Sequence, residues 1–133
     1  MIVADTNLIG YFIIQGPFTA DAEAVFYKDP LWAAPILWRS EMRNVLWKYV
    51  RSRQITLAVA LKAMEAAEKL LHGKEFQVES QSVLSLADGS GCAAYDCEFV
   101  HLAQARGWKL VTADAKLLAQ FPGTAVSLQD FVK

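Results

Sequence analysis

The sequence has little of the chemistry that builds a zinc site or a disulfide-bonded fold, since its 133 residues include only two cysteines and two histidines. Cys92 and Cys97 lie five residues apart in a segment predicted to be helical, and this spacing turns their side chains about 140° away from each other. We expect both cysteines to be packing residues. His72 and His101 lie apart from every other candidate residue, and we assign them no chemistry.

The chain also lacks a strong net charge. Its formal charge is −1 at pH 7, so it has no global basic field, and any phosphate-binding surface must be local. The N-terminus shows neither a basic segment nor a membrane-spanning apolar run, which predicts a cytoplasmic protein without membrane contact. With 54% hydrophobic residues, the sequence predicts one well-filled domain, residues 1–133.

Short apolar segments alternate with helical patterns along the chain, which is typical of an α/β fold with a parallel sheet. The predicted strands are residues 2–4, 31–34, 76–78, 108–111 and 124–127. The predicted helices include residues 36–53, a segment that begins after Thr56, and residues 93–106. The glycine-containing stretch 88–91 is interpreted as a loop before the last of these helices.

Two acids fall beside apolar stripes rather than on charged helix faces. On a helical wheel Glu41 lies between Leu37, Trp38 and Val45, and a lone buried carboxylate costs several kcal/mol, so it must be paired, bind a cation or face a cleft. The structural alternative is an ion pair with a nearby arginine. Asp96 repeats the pattern in the predicted helix 93–106, where a favourable interaction with the helix dipole is the alternative.

Two further acids, Asp5 and Asp114, each follow a predicted strand and precede a helical pattern. Either residue taken alone is explained as a helix N-cap. In an open parallel sheet, however, ligands bind beyond the carboxyl ends of the strands, where both residues lie with the neutral oxygen groups of Asn7 and Thr112. Four converging acids would repel one another, and hard oxygen ligands favour Mg²⁺ or Mn²⁺, so we expect these acids to form a divalent-cation site.

Basic residues are concentrated beside Glu41. Residues 39–53 contain five basic side chains against one acid. Contacts from Arg39 and Arg43 to phosphates would position a nucleic-acid strand without reading its sequence. A solvated helix face is the alternative explanation for each of these residues.

Four motifs resemble the successive motifs of PIN-domain nucleases, and in length and spacing the chain is most similar to VapC-type toxins of type II toxin–antitoxin systems. The motifs are Asp5-Thr6-Asn7, the segment 40–46, Tyr95-Asp96 with the apolar residues that follow, and the segment 110–114. The resemblance implies a three-layer α/β/α sandwich around a parallel, mostly five-stranded sheet. It also implies a Mg²⁺- or Mn²⁺-dependent endoribonuclease, usually a homodimer inhibited by an antitoxin.

By motif position, the resemblance gives the catalytic, metal-binding roles to four acids and supporting roles to two polar residues. The acids are Asp5, Glu41, Asp96 and Asp114, and the polar residues are Asn7 and Thr112. Asp88 is an extra acid that competes with Asp96 but fits the motif poorly. Alternatives are a PIN-like module that only binds, and a phosphorylated receiver module, which normally carries paired acids after its first strand and a late lysine. The predicted helix 36–53 and the helix after Thr56 form a plausible helical hairpin, and exposed tryptophans on it would serve a dimer or antitoxin interface.

Overall fold

The computed structural model describes residues 1–133, which form five strands and eight helices. The strands are β1 (Ile2–Ala4), β2 (Trp32–Pro35), β3 (Glu75–Phe76), β4 (Lys109–Val111) and β5 (Ala125–Val126). The helices are α1 (Thr6–Ile13), α2 (Thr19–Lys28), α3 (Trp38–Arg51), α4 (Leu57–Leu70), α5 (Ser80–Ser90), α6 (Ala94–Arg106), α7 (Ala115–Gln120) and α8 (Leu128–Phe131).

All five strands are parallel and form one sheet in the order β3-β2-β1-β4-β5. Right-handed crossovers place α1 to α4 on one face and α5 to α7 on the other. In agreement, α1 packs on α2, α3 and α4, whereas α6 packs on α5 and on the strands β1, β2 and β4. The predicted three-layer α/β/α fold with a five-stranded parallel sheet is confirmed, and the strand bounds differ from the prediction by one or two residues.

The central strand β1 is buried along its whole length because helices cover both faces of the sheet. It belongs to a cluster of 28 buried hydrophobic residues. Cys92 and Cys97 are part of this cluster and form no disulfide, as expected for packing residues. Trp32 and Trp38 are fully buried, whereas Trp47 on α3 is 55% exposed. No helix has the length and apolar character needed to cross a membrane.

The prediction of a loop at residues 88–91 was wrong, because α5 continues to Ser90. Asp88, Gly89 and Ser90 are residue types that are typical of turns, and glycine disfavours a helix interior, so the local sequence indicates a loop there. Packing against α6 stabilises α5 instead. Gly91 then ends the helix with φ at 73°, a left-handed conformation that glycine adopts without a steric penalty.

Candidate active site

The candidate site lies at the carboxyl edge of the sheet, where β1 and β4 end side by side. Asp5 directly follows β1, and its backbone N–H donates to the carbonyl oxygen of Val111 at 3.2 Å. Thr112 and Asp114 follow β4. The parallel pairing of β1 with β4 therefore brings the ends of these two distant chain segments to one place.

Both carboxylate oxygens of Asp5 accept hydrogen bonds. The backbone N–H of Thr6 donates to Oδ1 at 2.8 Å, so Asp5 caps α1. The hydroxyl of Thr112, which is fully buried, donates to Oδ2 at 2.5 Å. The same hydroxyl oxygen accepts the backbone N–H of Asp114 at 3.0 Å. Thr112 therefore fixes the orientation of the Asp5 carboxylate and the backbone of the segment 112–114 that leads into α7.

Glu41 lies in the first turn of α3 and is held by a residue of α1. The buried hydroxyl of Thr6 donates to Glu41 Oε1 at 2.7 Å. Thr6 belongs to the Asp5-Thr6-Asn7 motif, but its role in holding Glu41 was not predicted. The available signal was a hydroxyl directly after Asp5, at the start of an apolar helix. The expected alternative, an ion pair between Glu41 and Arg39, does not occur, because Arg39 contacts other acids.

Asp96 and Asp114 lie on the opposite side of the sheet edge from α3. Asp96 is half-buried in the first turn of α6. Asp114 caps α7, since its Oδ1 accepts the backbone N–H groups of Lys116 at 2.9 Å and Leu117 at 3.0 Å. Asp114 thus has the structural role of an N-cap as well as a place at the site. Asn7 is exposed on α1.

Burial and mutual repulsion raise the pKa values of three of the acids. Desolvation is the main cause for Asp5, and the charges of Asp96 and Asp114 add to it, against the hydrogen bonds from Thr112 and Thr6. Desolvation also raises the pKa of Glu41, with contributions from Asp5 and Asp96. The pKa of Asp96 is raised by desolvation and by Asp114. The charges of Asp96 and Asp114 therefore reach Asp5, and those of Asp5 and Asp96 reach Glu41.

The two arginines expected to contact RNA differ in their surroundings. Arg39 donates to both oxygens of Glu75, at 2.6 and 2.9 Å, and to Glu68 at 2.5 Å. These bonds raise the pKa of its guanidinium, and they neutralise its charge within the protein. Arg43 is exposed and forms no ion pair, so it remains available to a ligand.

The donor set fits a hard divalent cation in its chemistry. All four candidate ligands are carboxylates, and none of them forms an ion pair with a basic side chain. As the side chains stand, however, no group of three or more acids, histidines or cysteines is gathered closely enough to hold one ion. Carboxylates that repel one another are expected to separate in this way when no cation lies between them.

Comparison with known proteins identifies the family. A family model described as the PIN domain matches residues 2–122. The chain therefore belongs to the PIN domain family, whose members are generally nucleases. This assignment excludes the receiver module as an explanation of the acidic pocket.

Two solved structures share the fold. A protein from Pyrobaculum aerophilum superposes with a TM-score of 0.78 at 23% identity, over 98% of this chain and 92% of that chain. A structure described as a toxin–antitoxin complex from Klebsiella pneumoniae gives a TM-score of 0.73 at 17% identity, over 96% of this chain and 98% of that chain. A search of curated proteins finds no match to the sequence.

Proposed function

We propose that this PIN domain is a Mg²⁺- or Mn²⁺-dependent endoribonuclease and the toxin of a toxin–antitoxin pair. The observation that carries the proposal is the anchored acidic pocket at the sheet edge. Two buried threonine hydroxyls hold Asp5 and Glu41 in place, while Asp96 and Asp114 lie near enough to raise the pKa of Asp5 and form no neutralising ion pair. Such a pocket is costly for the fold unless a cation offsets the repulsion.

The four acids, Asp5, Glu41, Asp96 and Asp114, are the proposed metal ligands. A bound Mg²⁺ or Mn²⁺ would supply an activated water and stabilise the leaving oxygen during hydrolysis of a phosphodiester. The P–O bond from water forms as the bond to the leaving oxygen breaks, and that oxygen ends as a hydroxyl. Thr112 and Thr6 contribute by fixing the oxygens of Asp5 and Glu41, because ligands oriented by further hydrogen bonds bind metals more tightly.

RNA is proposed as the substrate because the four sequence motifs resemble those of VapC-type toxins. Exposed basic residues support a nucleic-acid ligand, since Arg43, Lys48 and Arg51 on α3 and Arg53 just after it form no ion pair. Arg39 is a weaker candidate for a phosphate contact than the sequence suggested, because Glu68 and Glu75 already occupy its donors.

An antitoxin is the proposed protein partner, and a homodimer is the proposed assembly, in the cytoplasm. One of the structural neighbours is described as a toxin–antitoxin complex, which supports the first of these. A groove of about 310 Å³ between α3 and α4 offers an apolar surface for such contacts. Trp47, Leu57 and Leu61 line it and are more than half exposed, and an exposed apolar patch of neighbouring side chains is typical of an interaction site.

The proposal is tested by incubating the purified protein with RNA and Mn²⁺ and comparing two charge-neutralising variants. Glu41→Gln is expected to lose cleavage because it removes a proposed ligand. Glu65→Gln removes an exposed acid that pairs only with Lys69, one turn along α4, and is expected to cleave as the parent does. Equal cleavage by both variants, or cleavage without a divalent cation, would contradict the proposal. Metal-dependent RNA binding without cleavage by the parent would favour a module that only binds.

A further inference from the structure

Lys116 connects two of the elements that carry the acidic pocket. It lies in the first turn of α7, two residues after Asp114, whose side chain accepts its backbone N–H. Its Nζ atom reaches across to donate to the carbonyl oxygen of Gly91 at 2.7 Å. Gly91 ends α5 just before α6, the helix that contains Asp96. The ammonium group therefore lies at the rim of the pocket, between the segments that present Asp114 and Asp96.

The ammonium group of Lys116 retains donors for a ligand. A lysine has three N–H donors, and the Gly91 carbonyl accepts one of them. The residue is exposed and forms no ion pair. Its charge is also felt inside the site, because it lowers the pKa of Asp96 against the larger opposing effects of burial and Asp114.

We propose that Lys116 binds a backbone phosphate of the RNA strand next to the acidic pocket. The proposal rests on the proposed function and names a residue that the family motifs do not include. An RNA strand that approaches four carboxylates meets repulsion, and a lysine at the rim offsets it where the strand enters. Arg39 cannot do so, because Glu68 and Glu75 hold its guanidinium.

Lys109 provides a matched control for Lys116. Its Nζ atom donates to the carbonyl oxygen of a glycine, Gly123, at 3.0 Å, and its side chain is exposed. It lies at the start of β4, whereas Lys116 follows the end of that strand, so the two lysines lie at opposite edges of the sheet. Replacing either lysine with methionine therefore removes one hydrogen bond from a lysine to a backbone carbonyl. Only Lys116 lies near the acidic pocket.

The test measures binding of a fluorescent single-stranded oligoribonucleotide over a series of salt concentrations at fixed Mg²⁺. Binding is measured in the Glu41→Gln background, so that the RNA is not cut. One phosphate contact to a single strand contributes about 0.7 to the slope of log affinity against log salt, which is about eightfold in affinity at about 50 mM salt. Lys116→Met is expected to lower this slope by about 0.7 and the affinity about eightfold. Lys116→Arg and Lys109→Met are expected to keep the slope of the Glu41→Gln protein.

Equal slopes for Lys116→Met and Lys109→Met would overturn the proposal. A lower melting temperature of Lys116→Met with an unchanged slope would also overturn it, because the lysine would then only tether α7 to the end of α5. The cleavage assay separates this failure from failure of the proposed function. A parent protein that cuts RNA while Lys116→Met keeps the parent slope refutes the role of Lys116 alone, whereas a parent that neither binds nor cuts RNA refutes both.

Discussion

Replacing Thr112 with valine tests how the pocket is held together. Valine has the shape of threonine without the hydroxyl, so Thr112→Val removes the 2.5 Å hydrogen bond to Asp5 and leaves the N–H of Asp114 without its acceptor. A hydrogen bond to a charged group contributes about 1.5–3 kcal/mol, so the variant is expected to lose about 2 kcal/mol of unfolding free energy. For a domain of this size, that loss lowers the melting temperature by about 8 °C.

The same variant is expected to need a higher Mn²⁺ concentration for stabilisation. Loss of an outer hydrogen bond to a metal ligand typically costs about 10–100-fold in metal affinity or activity. Urea unfolding without metal and thermal melts across a Mn²⁺ series measure the two effects separately. Thr124→Val is the control, because its hydroxyl accepts one 3.3 Å bond from Gln104 away from the site. The reasoning fails if Thr112→Val matches Thr124→Val in both measurements, or if Thr112→Ser does not restore them.

Three further predictions follow from the charges. Mn²⁺ at about 100 times its Kd is expected to raise the unfolding free energy by about 2.7 kcal/mol. A melting temperature that does not change when Mn²⁺ is added would argue against the site. Because burial and Asp114 raise the pKa of Asp96, the fold disfavours its ionised form, so the contribution of Asp96 to metal-free stability is expected to fall as the pH rises above about 4. Asp96→Asn should weaken this pH dependence in urea unfolding and abolish cleavage, whereas strong destabilisation at neutral pH would indicate a structural role instead. Arg39→Gln is expected to lose about 1 kcal/mol of stability through its bonds to Glu75, while Arg43→Gln keeps its stability and binds RNA more weakly. Equal stability of the two arginine variants in urea would contradict the assigned pairing.

The fold was predictable because its signals are local. Four of the five strands are short, mostly apolar segments, and each predicted helix has apolar periodicity or a cap, such as Thr56, whose hydroxyl accepts the N–H of Val59. The positions of Asp5 and Asp114 at the sheet edge follow from the parallel topology alone. The end of α5 was predicted wrongly because Asp88, Gly89 and Ser90 favour a turn, whereas the helix, which packs against α6, continues to Ser90.

The contact that holds Glu41 depends on how one helix packs against another, and local sequence patterns do not specify this packing. Thr6 meets Glu41 across 35 residues because α1 packs on α3. Arg39 and Glu41 lie two residues apart on α3, so their side chains point to different faces, and Arg39 reaches Glu75 on β3 instead. The metal-binding roles of the four acids stay predictions, since they depend on an ion and on side-chain movements that neither sequence patterns nor packing specify.

Calorimetric titration with Mn²⁺ tests most directly whether the acids at the sheet edge bind a cation. The parent protein is expected to bind Mn²⁺ saturably, and Asp96→Asn to bind it at least about tenfold more weakly. Asp88→Asn, which changes an exposed acid near the end of α5, is expected to keep the parent affinity. The same Mn²⁺ affinity in all three proteins, or no binding by the parent, would contradict the account.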